Sequence, residues 1–247
     1  MARARDRLLT IPQGTREPVS LDLLEAIRRR KSIRAFRPDP VPREALEGVL
    51  ALAQRAASWS NLQPWEYAVV TGGRLRELSD ALVAYVLGGE EPRYDFERPE
   101  FQPVHQRRRV SDGIRLFETA GIHKSDPDYA QKRVEWRCRN MRLFGAPVGL
   151  FIYMERQLHT PAVLDTGGFL TTLMLACLPF GLGSCASGSL VGYPDLLRQS
   201  LDLPDSKLFL SGVCVGYPDW SDPLNTFQAD RDPVELFGHW QGWDPAL

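Results

Sequence analysis

The sequence predicts an α+β fold, and three observations carry that reading. Leu21, Leu24 and Ile27, then Leu46, Val49, Leu50 and Ala53, recur at the spacing of helices with one buried face. Val148–Met154 (VGLFIYM) is continuously apolar and Lys207–Val215 (KLFLSGVCV) alternates, as buried strands do. Helices and strands are interleaved along the chain without an internal repeat. Of the 247 residues 43% are apolar and 25% charged, with 20 glycines and 19 prolines, which excludes disordered and collagen-like chains.

The first helix runs through LDLLEAIRRR, with Ser20 or Asp22 as its cap. It ends in Arg28-Arg29-Arg30-Lys31, where cations suit the helix dipole. The second starts at Pro42, a favoured first-turn residue. Ala57–Trp65 (ASWSNLQPW) is a polar loop with two tryptophans, followed by a strand, Glu66–Thr71, that closes on the turn signal Gly72-Gly73. Leu75–Leu87 reads as a third helix.

From Gly88 to about Asp128 the glycines, prolines and Arg107-Arg108-Arg109 predict an irregular surface excursion with short helical pieces, a lid or interface arm. Tyr129–Phe144 returns to helix and stops at Gly145-Ala146-Pro147. Ala162–Leu178 is a mostly apolar helix with Leu170, Leu173, Met174 and Cys177 on one face. Gly181–Gly188 reads as a glycine-rich turn and Pro194–Leu201 as a short helix. The tail from Gly216, with prolines at 218, 223, 233 and 245, reads as an extended run over the surface.

Several function classes are excluded or disfavoured. The 30 basic and 31 acidic residues leave a net charge of −1, so there is no global field for nucleic acid or an anionic membrane. No uncharged apolar stretch reaches the ~20 residues of a membrane span, and MARARDRLLTIPQGTREP lacks a signal-peptide core. Four cysteines without a CxxC pair predict a reducing compartment, hence the cytoplasm. His105, His123, His159 and His239 are scattered, so no metal site is expected. The GSCASGS stretch does not match the GxSxG nucleophile turn. Gly181–Ala186 does match GxGxxA, but a helix precedes it where a dinucleotide fold needs a strand. It reads as a helix cap and tight turn, open enough to admit a flat ligand.

What remains is an inventory for a phosphate and a ring. Arg30, Ser32 and Arg34 alternate in the extended exit from the first helix, and two guanidiniums with a hydroxyl suit a phosphate monoester. Ser58, Ser60, Asn61 and Gln63 supply hydroxyl and amide partners for a heteroaromatic edge.

In their order, Arg30–Phe36, Ala57–Tyr67, Phe144–Val148, Asp165-Thr166-Gly167, Gly181–Cys185, Val215–Asp219, Pro223–Phe227 and Arg231-Asp232-Pro233 resemble the signatures of the nitroreductase family of FMN-dependent oxidoreductases. They span about residues 20 to 240. The excursion, with Asp112-Gly113 and Ala120-Gly121-Ile122, is similar to the nitrobenzoate and nitroaromatic reductase branch.

The resemblance implies an extension over 1–19 and one FMN-binding domain over 20–247, a mixed sheet flanked by helices. It also implies an entwined homodimer with FMN in two interface clefts. It places Arg30 and Ser32 at the phosphate and ribityl chain and Arg34 near the pyrimidine edge, with Lys31 also among the cofactor-binding residues. Asn61 falls at the ring edge with Ser58, Ser60 and Gln63 beside it. Ser184, Cys185, Ala186 and Ser187 follow the turn past the flavin, and Arg231 meets the phosphate. Thr166-Gly167-Gly168 and Cys185-Ala186-Ser187 are smaller than in many relatives.

The activity implied is NAD(P)H-dependent reduction of a nitroaromatic or related small acceptor by a ping-pong hydride mechanism. The cofactor carries the hydride, so no catalytic side chain is needed and Cys185 is not a catalytic thiol. An ene or quinone reductase, a reductive dehalogenase, or a flavin-binding protein without turnover are the alternatives on this scaffold.

Overall fold

Strand β2, Val148–Glu155, is apolar up to its final Glu155 because elements cover both of its faces. The computed structural model describes residues 18–97 and 99–242. The N-terminal extension expected over 1–19 therefore lies, but for its last two residues, outside the described residues. β2 is flanked by β1, Glu66–Thr71, and by β4, Lys207–Gly216, with β3, Gly183–Ser187, outside β4, in the order β1-β2-β4-β3. Val148 stands opposite Thr71 on one side and Val215 on the other.

Residues of β2 alternate between two cores. Val148, Leu150 and Ile152 pack with Leu46, Val49 and Leu50 of α2, Arg43–Ala53, and with Phe169 and Leu173 of α6, His159–Ala176. Phe151 and Tyr153 pack with Leu78, Leu82 and Val86 of α3, Gly72–Leu87, and with Cys138 and Met141 of α5, Tyr129–Met141. The two-residue period of the strand thus divides one sheet between two helical layers.

The short helix α1, Leu23–Arg29, is capped by Asp22, whose Oδ1 accepts from the N–H groups of Leu24 and Glu25 at 3.0 and 3.1 Å. α7 spans Pro194–Leu201 as the sequence predicts.

Six expectations need correction. The sheet is not mixed: its named strands pair antiparallel, and a parallel contact occurs in the isolated bridge Ser32–Ser184. Gly72-Gly73 is no separate turn, since Gly72 at φ +58° turns the chain directly from β1 into α3. Gly181–Gly188 contains β3. Gly183 is needed there because a Cβ would stand 2.6 Å from Ile33 Cγ1 and 2.8 Å from Pro218.

The excursion is not a set of short pieces: it carries a 17-residue helix, α4, Pro103–Thr119, with no buried residue. Its polar composition hid the helical period. Finally, the tail is not wholly superficial, because Leu224, Asn225 and Phe227 are buried around a 3-10 turn at Pro223–Thr226.

α6 also faces the core differently from the expectation. Ala162, Thr166, Phe169, Leu173 and Ala176 are its buried side, while Val163 and Leu164 are exposed. Among the described residues, Arg156–Phe180 is long and apolar enough to cross a membrane by length and composition, but this helix packs one side on α2 and the sheet.

Candidate functional site

The segment leaving α1 lies along the free edge of β3. Ile33 N–H donates to Ser184 O at 3.0 Å, and Arg37 N–H to Tyr217 O at 2.9 Å. Ile33, Ala35 and Phe36 are buried in that contact. Extended backbone alternates its side chains, so Arg30, Ser32 and Arg34 are left half-buried on the other side. The alternation expected from the sequence is therefore the geometry of the chain. Arg30 sits at the end of α1, its N–H bonded to Ala26 O.

The tail pins this segment. Asn225 Oδ1 accepts from Arg34 N–H at 2.8 Å, and the Lys31 ammonium donates to Asn225 O with the Trp220 ring 5.4 Å away. Lys31 thus faces the tail beside the phosphate candidates. The Arg34 guanidinium lies 5.9 Å from the Phe227 ring centre.

Cys185 stands between these groups and the core. Burial pushes its thiol up, and the Arg34 charge and the Ser32 hydroxyl pull partly back. Burial also pushes Cys214, its cross-strand partner, well up, and Cys177 to about 12. These thiols stay protonated, which leaves Cys185 a poor nucleophile. Ser184 is buried and bonds the Cys177 thiol, Ala186 is half-buried, and the Ser187 hydroxyl donates to Asn140 Oδ1 at 2.9 Å.

The Ser58–Gln63 loop is a second group. Ser60, Asn61 and Gln63 have φ of 48°, 58° and 48°, left-handed conformations on either side of Leu62 that cost about 1–3 kcal/mol per residue. Its clamps are local. Gln63 N–H donates to Ser58 Oγ at 3.0 Å, Gln63 Nε2 to Asn61 O at 3.3 Å, and Trp59 N–H to Asp165 Oδ2 of α6 at 3.0 Å. Ser58 therefore closes the loop with its oxygen, while Ser60 and Asn61 remain exposed.

Arg231 stands apart from both groups. It is exposed and donates to the carbonyls of Ala229 and Asp230 at 3.2 and 2.8 Å. A cleft of about 620 Å³ opens nearby between α4 and the tail, lined by Arg115, Glu118, Phe227 and Asp230 among others. The structure thus gathers Ser32, Arg34, Ser184 and Cys185, and leaves the 58–63 loop and Arg231 on separate supports.

Sequence reasoning missed Asn225 and Asp165 as site-building residues. Both lie inside quoted signatures, but nothing in a sequence tells a buried amide from an exposed one.

The donor set fits a flavin mononucleotide. Half-buried guanidinium and hydroxyl groups on one side of an extended strand match a phosphate and a polyol, and the exposed Asn61 amide matches a heteroaromatic edge. Among the described residues no cluster of three His, Cys, Asp or Glu could hold a metal ion.

The fold is that of a flavin-reductase class, and comparison with known proteins places the chain within it. The Nitroreductase family profile matches residues 27–217. A 4-nitrobenzoate reductase of Nocardioides sp. (strain LMS-CY) is 32% identical over 236 residues, 92% of this chain and 94% of that protein. The FMN and NADPH-dependent nitroreductase NfnB from Sphigopyxis sp. strain HMH superposes with a TM-score of 0.86 at 34% identity, over 90% of this chain and all of that one. The FMN-dependent NfnB from Mycobacterium smegmatis, solved in complex with NADPH, gives 0.82 at 32% identity, over 89% of this chain and all of that one. The chain belongs to the nitroreductase family.

Proposed function

We propose that this chain is an FMN-dependent NAD(P)H nitroreductase acting on small nitroaromatic acceptors as a cytoplasmic homodimer. Residues 20–247 are read as one domain and 1–19 as an extension. The observation that carries the reading is the alternation of Arg30, Ser32 and Arg34 against β3, which leaves two guanidiniums and a hydroxyl half-buried on one side of the segment. The names of the similar proteins support the same chemistry.

Bound FMN supplies two-electron hydride chemistry between NAD(P)H and the acceptor. The chain's own residues bind and orient. Arg30 and Ser32 hold the phosphate and ribityl chain by charge-assisted bonds. Arg34 places a cation at the pyrimidine edge, where negative charge develops. Asn61, held in its strained conformation by Ser58 and Asp165, presents its amide to the ring. Cys185 fills space under the site as a neutral thiol.

The homodimer is supported by what one protomer leaves uncovered. Leu164 is 79% exposed on α6, and beside it Gly167 and Gly168 leave open space where side chains would stand. Leu23, Leu24 and Ile27 of α1 are exposed as well. A second copy covers such apolar surface and brings the 58–63 loop of one protomer to the Arg30–Arg34 strip of the other.

The test is chemical. Cofactor released by heat should run as FMN on chromatography, and NAD(P)H oxidation should rise on adding 4-nitrobenzoate. Released FAD, or a chain that refuses FMN, overturns the reading; a flavin-loaded protein with no acceptor-dependent turnover reduces it to a flavin binder.

A further inference from the structure

We infer that Asn225 is a positioning residue. From the C-terminal segment it fixes the backbone from which Arg34 reaches the cofactor, so the tail sets the reactivity of the strip that follows α1. This rests on the reading of Arg34 given above.

Asn225 is 1% exposed, and its amide makes three hydrogen bonds. An asparagine amide donates two protons and accepts at its oxygen. Here Oδ1 accepts from Arg34 N–H at 2.8 Å, and Nδ2 donates to Ala35 O and to Asp219 O, each at 2.8 Å. Its own carbonyl takes the Lys31 ammonium. One buried side chain thus grips peptide groups on both sides of the Arg34–Ala35 pair and ties them to Asp219, just beyond β4.

The neighbours of Asn225 act on the same residue. Arg34 O accepts from an Arg139 guanidinium nitrogen at 3.3 Å, and that nitrogen also donates to Asp222 Oδ2 at 2.8 Å. Asp222 in turn caps the turn that carries Asn225, accepting from Leu224 N–H at 2.9 Å. Phe227, at the end of the same turn, lies under the Arg34 guanidinium. The N–H and the cation of Arg34 are therefore met by Asn225 and Phe227, and its carbonyl by Arg139, which Asp222 pairs with. A cation set in place before its partner arrives needs no reorganisation during reaction. Displacing such a group by about 1 Å costs up to a hundredfold in rate.

The test compares Asn225→Ala and Asn225→Asp with Arg34→Ala and Arg30→Ala in the full chain. Asn225→Asp keeps the acceptor for Arg34 N–H but sets an oxygen against the Ala35 and Asp219 carbonyls. Four readings are taken: melting of the FMN-free protein, FMN affinity by titration, the midpoint potential of bound FMN, and kcat and KM. Both Asn225 variants should keep more FMN affinity than Arg30→Ala. They should move the midpoint potential in the same direction as Arg34→Ala and lower kcat roughly tenfold with little change in acceptor KM.

A folded, FMN-loaded Asn225→Ala with wild-type potential and kcat, beside an Arg34→Ala that shifts both, overturns the inference alone. An Arg34→Ala that shifts neither removes the assignment of Arg34 and the inference with it. If neither Asn225 variant folds, the residue serves folding only and the positioning role is rejected.

Discussion

Arg30 and Arg231 carry the same expectation from different surroundings. Arg30 is half-buried at the end of α1 with its side chain on the open side of the strip, whereas Arg231 is exposed and bonded to its own neighbours. Arg30→Ala should weaken FMN binding by about 1.5–3 kcal/mol, the worth of a charge-assisted bond, against a few tenths, ~0.3 kcal/mol, for a residue that only ends a helix. A flavin titration reads the difference. The same loss is expected for Arg231→Ala, and unchanged affinity there would leave Arg231 to its tail contacts. Cys185→Ala should keep FMN and most turnover, because burial holds that thiol protonated despite Arg34 and Ser32. A variant that retains flavin but loses activity by orders of magnitude would demand a thiol step.

The excursion shows what decides an element. Its root is rigid: the buried Asp95 carboxylate accepts from Arg198 at 2.8 Å, from Arg156 at 3.0 Å and from Phe209 N–H at 3.0 Å. Burial alone would raise this carboxyl, but the hydrogen bonds from Arg198, Phe209 and Arg156 outweigh it and hold it below its ordinary 3.8. The stabilisation is therefore complete above that pH and is lost as pH falls through the lowered folded value. Asp95→Asn should cost about 3 kcal/mol at neutral pH, since it leaves Arg198 short of its buried partner, and the gap from wild type should close below pH 3.8. Urea unfolding at several pH values measures it; a gap that persists in acid would assign the loss to packing.

The helix α4 beyond that root is held differently. Arg108 pairs with Asp232 at 2.6 Å and Arg115 pairs with Asp230, all of them partly exposed. Such pairs contribute about 0–1 kcal/mol each and weaken with salt. Replacing both Asp230 and Asp232 with Asn should speed amide exchange over α4 without changing β2 or β4. Equal exchange in the two proteins would mean that these pairs do not hold the helix.

At the scale of the whole molecule, the apolar character of α6 has two destinations. One side enters the core through Phe169 and Leu173, and the other, with Val163 and Leu164, is open in the protomer. If the proposed homodimer forms through this face, Leu164→Glu should leave the fold intact yet make the protein monomeric in sedimentation, with loss of FMN if both protomers build the site. A dimeric, flavin-loaded Leu164→Glu protein would place the interface elsewhere.

The sequence by itself determined the elements whose pattern is local. β2 was legible because a strand covered on both faces is apolar, Glu66–Thr71 because glycine follows where the chain changes direction, and Pro194–Leu201 because it opens on a helix-start proline. The strip of Arg30, Ser32 and Arg34 was legible for a similar reason, since extended backbone alternates whatever it packs against. Tertiary structure decided the rest. Gly183–Ser187 is a strand only because β4 pairs with it, and α4 is a helix that buries nothing from which a period could be read. Asn225 holds Arg34 across a separation of 191 residues. An amide carries no mark in the chain of the backbone groups it will meet once buried, and that encounter exists only in the folded molecule.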